Sequence, residues 1–171
     1  MTIAQGILME FEREAETTRR VLDRIPPEKY GWKPHAKSFS LGQLAMHMIQ
    51  SLDTESEAAT QDVFEFYQPP AMEPRNPEEL IAAYERSTAK VKEIIGKIDD
   101  ARMISPWTGT FQGKTLMSVP RLAFIRTVIL NHHYHHRGQL SVYLRLLDVP
   151  VPHIYGPSAN DNPFLTTAAA H

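Results

Sequence analysis

The chain has 171 residues and a mass of 19.5 kDa, enough for one sizeable core, with 42% hydrophobic and 22% charged residues as in ordinary globular domains. A net charge of -2 leaves no global basic field for holding nucleic acid or an anionic membrane, so neither is an expected partner. With no cysteine, disulfides and thiolate ligands are excluded, and any metal must be held by His, Asp or Glu.

Helical periodicity dominates along the chain and strand alternation is nearly absent. The first helix is predicted over about residues 2–24, with Ile3, Ile7, Leu8, Phe11, Val21 and Leu22 on its apolar side and Pro26-Pro27 as its stop. Acidic residues in this opening stretch do not suit a signal peptide, and no apolar run approaches the roughly 20 residues of a membrane span. A soluble, cytoplasmic protein is expected. Residues 27–39 read as a loop, and Ser40 caps a second helix from about 41 to 61, with Leu41, Leu44, Ala45, Met48 and Leu52 at 3/4 spacing.

The proline-rich stretch QPPAMEPRNP is a connection, after which Asn76 and Pro77 open a third helix to about Ile98. Residues 99–116 read as a longer loop with room for a short extended turn. A fourth helix is predicted from about Ser118 to Leu147, with Pro120 in its first turn, followed from Asp148 by an irregular tail that wraps the body. Four long helices separated by proline breaks predict an all-α, single-domain four-helix bundle spanning residues 1–171, with up-down or crossover topology left open.

Four of the eight histidines fall in NHHYHHRGQ on the fourth helix. Leu122, Ile125, Ile129, His132, His136, Leu140, Tyr143 and Leu147 follow 3/4 spacing and share a sector of about 80°. His132 and His136 thus interrupt the core-facing stripe one turn apart, where two imidazoles can converge on one ion, as in helical HExxH zinc motifs. Burying both without a shared ion or carboxylate would leave polar nitrogens in need of partners. A third ligand must come from another element, and His47, on the shoulder of the second helix's stripe, is the best placed. Taken singly, His47 also suits a hydrogen-bonded packing role. His133 and His135 read as helix-surface residues or supports for the ligands, while His35, His153 and His171 carry little signal.

The segments WKPHAKSFSLGQLAMHMIQ, NHHYHHRGQLSVYLRLL and DVPVPHIYGPSAND together resemble the DinB/YfiT-like superfamily of metal-dependent helical proteins. The resemblance spans most of the chain. It implies a four-helix bundle that binds one divalent metal through three histidines, which by position are His47, His132 and His136. It also implies an activity of transferase or isomerase type using a low-molecular-weight thiol such as mycothiol, bacillithiol or glutathione. His153 departs from the small polar residue expected at its tail position.

Three imidazoles leave at least one position open on a divalent ion, as catalytic sites do. Zinc and nickel suit the donors best, and iron, manganese and cobalt are also accepted by such sites. Glu55, two turns after His47, is a candidate to orient a ligand or act as a base, although a solvated helix carboxylate fits the same pattern. Arg137 and Gln139 follow His136 and suit helix packing or an ion pair as well as substrate contact. Trp107, His153 and Tyr155 are candidates for the pocket wall, with core packing as the other role for the two aromatics. The competing function is a non-catalytic, stress-associated bundle in which the ion only staples helices, closed by a fourth ligand such as His153 or Glu55. A haem bundle is a more distant reading. Gly138, inside a helix, points to close approach of another backbone. Phe124, Val128, Val142 and Leu146 on one side and Leu130 and Leu144 on the other make the fourth helix either central or the contact of a homodimer.

Overall fold

The computed structural model describes residues 1–166. Helix α1 (Ile3–Leu22) opens on a reciprocal cap, in which the Thr2 hydroxyl accepts from the Gln5 N–H and the Gln5 side chain accepts from the Thr2 N–H. Helix α2 (Leu41–Ala58) opens in the same way on Ser40 and Gln43. A short strand β1 (Val63–Glu65) follows, and then α3 (Pro77–Gly96), capped by Asn76 with Pro77 at its first position. The last long helical segment is compound. After α4 (Asp100–Ile104), β2 (Pro106–Phe111) and β3 (Lys114–Pro120), a single turn α5 (Arg121–Phe124) runs into a π-helical stretch, Ile125–Asn131, and on into α6 (His132–Leu146). A last turn, α7 (Pro163–Thr166), closes the described chain.

Packing follows the apolar faces. α1 lies against α3 and α6, and α2 lies against α3, the π stretch and α6. Phe11, Leu44, Met48, Leu52, Leu80, Val91, Ile129 and Leu140 meet in one continuous core. Arg121 is fully buried beneath the end of α2, where its guanidinium donates to the carbonyls of Ala59 and Gln61 and pairs with Asp62 at 2.7 Å. It thereby satisfies carbonyls that a helix C-terminus leaves unpaired.

The fold is helix-rich rather than all-α, because residues read as loop form a three-stranded sheet. β2 and β3 pair antiparallel, and β1 joins β2 in parallel, in the order β1-β2-β3. The turn between β2 and β3 is Gln112-Gly113, with φ of 50° and 72°. Positive φ at both central residues is what a tight hairpin needs to match strand twist. The strands are short and bulged at Gly109/Thr110, so their alternation is too brief to register as a period. β3 also takes residues 118–120 from the predicted fourth helix, which starts at Arg121.

The π stretch changes which residues face inward. Hydrogen bonds from i to i+5 widen the turn beyond 3.6 residues, so the inward position after Ile129 is His133 rather than His132. His133 is 2% exposed and stacked on Tyr84, with ring centroids 6.1 Å apart, whereas His132 is half-buried and turned toward α2. The surface or supporting role expected of His133 gives way to a core position. Trp107 is also a core residue, stacked on Phe124 at 3.7 Å and donating from Nε1 to the Ala58 carbonyl.

The tail returns along α1. Val151 is buried, His153 Nδ1 donates to Asp161 at 2.8 Å, and Tyr155 reaches Glu14. Phe124, Leu130 and Leu144 are buried, so most of the apolar circumference of the fourth helix is used within the subunit, leaving Val142 and Leu146 exposed. Among the described residues, no helix is long and apolar enough to cross a membrane.

Gly138 lies on an exposed part of α6, and a Cβ there would meet nothing within 4 Å. The close backbone approach expected at this glycine is absent within the subunit. Gly138→Ala is therefore expected to raise stability by about 1 kcal/mol, the helix-propensity difference, in urea denaturation. A loss of stability would mean that the position is covered by something outside the subunit.

Candidate metal centre

Three imidazoles from two helices converge where α2 crosses α6. His47 comes from the first half of α2, and His132 and His136 come from the first two turns of α6. One ligand atom from each lies within 4.8 Å of the others. The rings of His132 and His136 are 4.5 Å apart, and His47 stands 5.5 Å from the first and 4.7 Å from the second. Phe39 stacks on His47 at 5.1 Å and fixes the plane of its ring.

Each α6 histidine is oriented through its Nδ1. His132 Nδ1 donates to Glu55 Oε1 at 2.9 Å, and His136 Nδ1 donates to Gln139 Oε1 at 2.7 Å. Both Nε2 atoms are thus left as acceptors, and they face each other at 2.8 Å. Two lone pairs at that separation repel unless a cation or a shared proton lies between them. A third imidazole on the same point favours the cation, and a Glu–His–metal arrangement is the usual outer support of such sites. The donor set therefore fits one divalent metal ion.

The electrostatics keep most of the triad in the ligating form. Burial pushes His136 down to about 4, with the neighbouring histidines adding to the effect and Gln139 opposing it. His47 is lowered by burial and by His132. His132 moves upward because Glu55 accepts its proton, while burial raises the Glu55 carboxyl itself. Glu55 Oε2 is buried with no hydrogen-bond partner.

Two of the three imidazoles open onto a cavity of about 440 Å³, set between α2, the Phe66–Pro69 segment, β3 and the π stretch. His47, His132 and Glu55 belong to its lining. A slightly larger groove between α1 and α3 is lined by Glu12, Arg19, Glu85 and Lys92 and lacks the histidines.

A family model described as the DinB family matches residues 1–163. The chain belongs to the DinB family. Among its relatives, the Bacillus subtilis (strain 168) protein YrdA is 25% identical over 158 residues, covering 90% of this chain and 89% of that protein. Two solved structures are similar in fold. A DinB-like protein from Bacillus cereus ATCC 10987 has a TM-score of 0.71 at 23% identity, covering 90% of this chain and 98% of that one. The mycothiol-dependent maleylpyruvate isomerase has a TM-score of 0.54 at 16% identity, covering 87% of this chain and 62% of that one.

In this DinB family chain the other sequence candidates fall away from the ion site. Arg137 is 1% exposed and paired with Glu14 at 2.6 Å, while its Nη2 donates to the Tyr155 hydroxyl at 2.6 Å. Together these residues clamp the tail onto α1. His153 is held by Asp161 and lies beside Arg20, outside the histidine cluster. Trp107 sits behind Phe66, one layer back from the cavity. His171 lies outside the described residues. The cavity walls Leu116 and Met117 carried no spacing signal that sequence could offer, and Val128, read as part of an apolar helix side, lines the cavity with them.

His133 is pushed to about 3 by burial and His136 to about 4, both from 6.5. Between pH 6.5 and 4 the unfolded chain binds protons that these two folded-state imidazoles refuse, so stability falls as pH falls. His132, raised by Glu55, contributes stability that is complete below 6.5 and is lost as pH rises through its folded value. Glu55, raised by burial, acts in the same sense as His132, so both oppose the fall set by His133 and His136. Metal-free protein should therefore lose roughly 2–4 kcal/mol of unfolding free energy between pH 7 and pH 5 in urea titrations. Constant or rising stability over that range would contradict the burial of these two rings.

Proposed function

We propose that the chain is a divalent-metal-dependent enzyme of transferase type, in which His47, His132 and His136 hold one ion and a small thiol is activated beside it. The carrying observation is that His47 and His132 of the triad line a ligand-sized cavity, with Glu55 Oε1 already committed to His132. Among the described residues the cluster has three members, which leaves coordination open on the cavity side. The mycothiol dependence of the maleylpyruvate isomerase, which shares the fold, supports the same reading.

An ion in this site would act as a Lewis acid and lower the pKa of a thiol or water that meets it. The chain's own residues prepare for this. Glu55 holds the proton on His132 Nδ1 and so fixes the ligating tautomer, and Gln139 does the same for His136. Phe39 holds the His47 ring in place. The thiol is a cosubstrate, because the chain has no cysteine. In the second reading the ion staples α2 to α6 without chemistry. The cavity at the triad weighs against it, since a staple needs no access. Pairing of two copies through the exposed Val142 and Leu146 belongs to the proposal and is read by sedimentation at micromolar concentration.

Untagged wild-type protein should carry one divalent ion per chain by elemental analysis. His47→Ala, His132→Ala and His136→Ala should each lose most of it. Glu55→Gln should keep the fold and weaken metal affinity by about 10- to 100-fold, the usual effect of removing an orienting partner. Wild-type protein without stoichiometric metal, or a histidine variant that retains it in full, would overturn the assignment.

A further inference from the structure

The cavity next to the triad has an uneven chemistry. Its walls are built largely from Phe66, Pro69, Leu116, Met117 and Val128. Its uncharged polar groups are Gln50, Ser51 and Thr54, which follow His47 along the same face of α2, and the hydroxyls of Tyr67 and Thr127 from the facing segments. No lysine or arginine lines the cavity among the described residues, and its single carboxylate, Glu55, is turned to His132.

We propose that this cavity admits uncharged, mainly apolar molecules, such as an aryl or branched alkyl group with one hydrogen-bonding substituent, and rejects those carrying a carboxylate or phosphate away from the reacting atom. The inference rests on the reading that the open side of the triad is the place of reaction. An anion entering here exchanges water for apolar walls with no lysine or arginine to meet it. An ion on the triad can compensate one negative group, and the activated thiol takes that position. A second anionic group on the same molecule, or on the acceptor, has no partner left. Neutral substituents lose little, because the amide of Gln50 and the hydroxyls of Ser51 and Thr54 offer donors and acceptors along the α2 side. The volume of about 440 Å³ falls within the range of small-ligand sites.

Three benzyl thiols with methyl, carboxamide or carboxylate in the para position test this. Their dissociation constants are measured by calorimetry or ligand-observed NMR on zinc-loaded protein and on chelator-treated protein. The methyl and carboxamide compounds should bind at least about tenfold more tightly than the carboxylate in both forms. Leu116→Lys places a cation on the wall at a residue 59% exposed on β3, so the fold should tolerate it. That variant should recover most of the lost carboxylate affinity, to within about threefold of the methyl compound. Equal or tighter binding of the carboxylate to wild-type protein, or no binding of any probe to either form, would overturn the proposal. Protein that takes up no zinc yet keeps the preferred order in its metal-free form would sink the metal reading alone. Protein that takes up zinc but reverses the order would sink this inference alone.

Discussion

Two imidazole lone pairs pointing at each other across 2.8 Å are unstable neighbours in the absence of a positive charge, and the site is organised around that conflict. The conflict is imposed by hydrogen bonds on the far side of each ring. Glu55 and Gln139 occupy the Nδ1 protons, so neither Nε2 of His132 or His136 carries one. His47 brings a third donor to the same point from α2. A proton shared between the two Nε2 atoms would relieve the pair, and a divalent ion would engage all three imidazoles at once.

The surrounding fold serves to hold that crossing. Reciprocal caps at Thr2 and Ser40 start α1 and α2 at fixed residues, and buried Arg121 ties the end of α2 to the start of the fourth helical segment. The π stretch then turns His133 into the core and His132 toward α2. The histidine cluster is thus divided by one widened turn into a packing residue and two residues that face His47. Farther along, Arg137 locks the tail through Glu14 and Tyr155 on the side of α6 that faces α1. The sheet completes the cavity by bringing Leu116 and Met117 opposite α2.

Much of this was legible in the residues. Helix starts at Ser40 and Asn76 could be read because caps are local chemistry, and the pairing of His132 with His136 could be read because four residues separate them. His47 needed the likeness to a family, since nothing in its own neighbourhood names partners 85 and 89 residues further on. The hairpin escaped because its strands are brief and its turn, Gln112-Gly113, lacks the Asn or Asp that commonly marks such turns. The inward position of His133 escaped because a regular helical period was assumed across a stretch that is π-helical. Arg137 and Tyr155 looked available for a substrate and are spent on each other and Glu14, a partner on α1 that no spacing rule connects to them.

The central claim is an ion held by three imidazoles with coordination open on the cavity side. X-ray absorption at the metal edge of protein loaded with one equivalent of zinc tests it most directly. Three imidazole nitrogens are expected at about 2.0–2.1 Å, with a remaining ligand that exchanges when a small thiol is added and appears as sulfur at about 2.3 Å. A closed shell of four protein ligands that ignores the thiol, or fewer than three imidazoles on the ion, would contradict it.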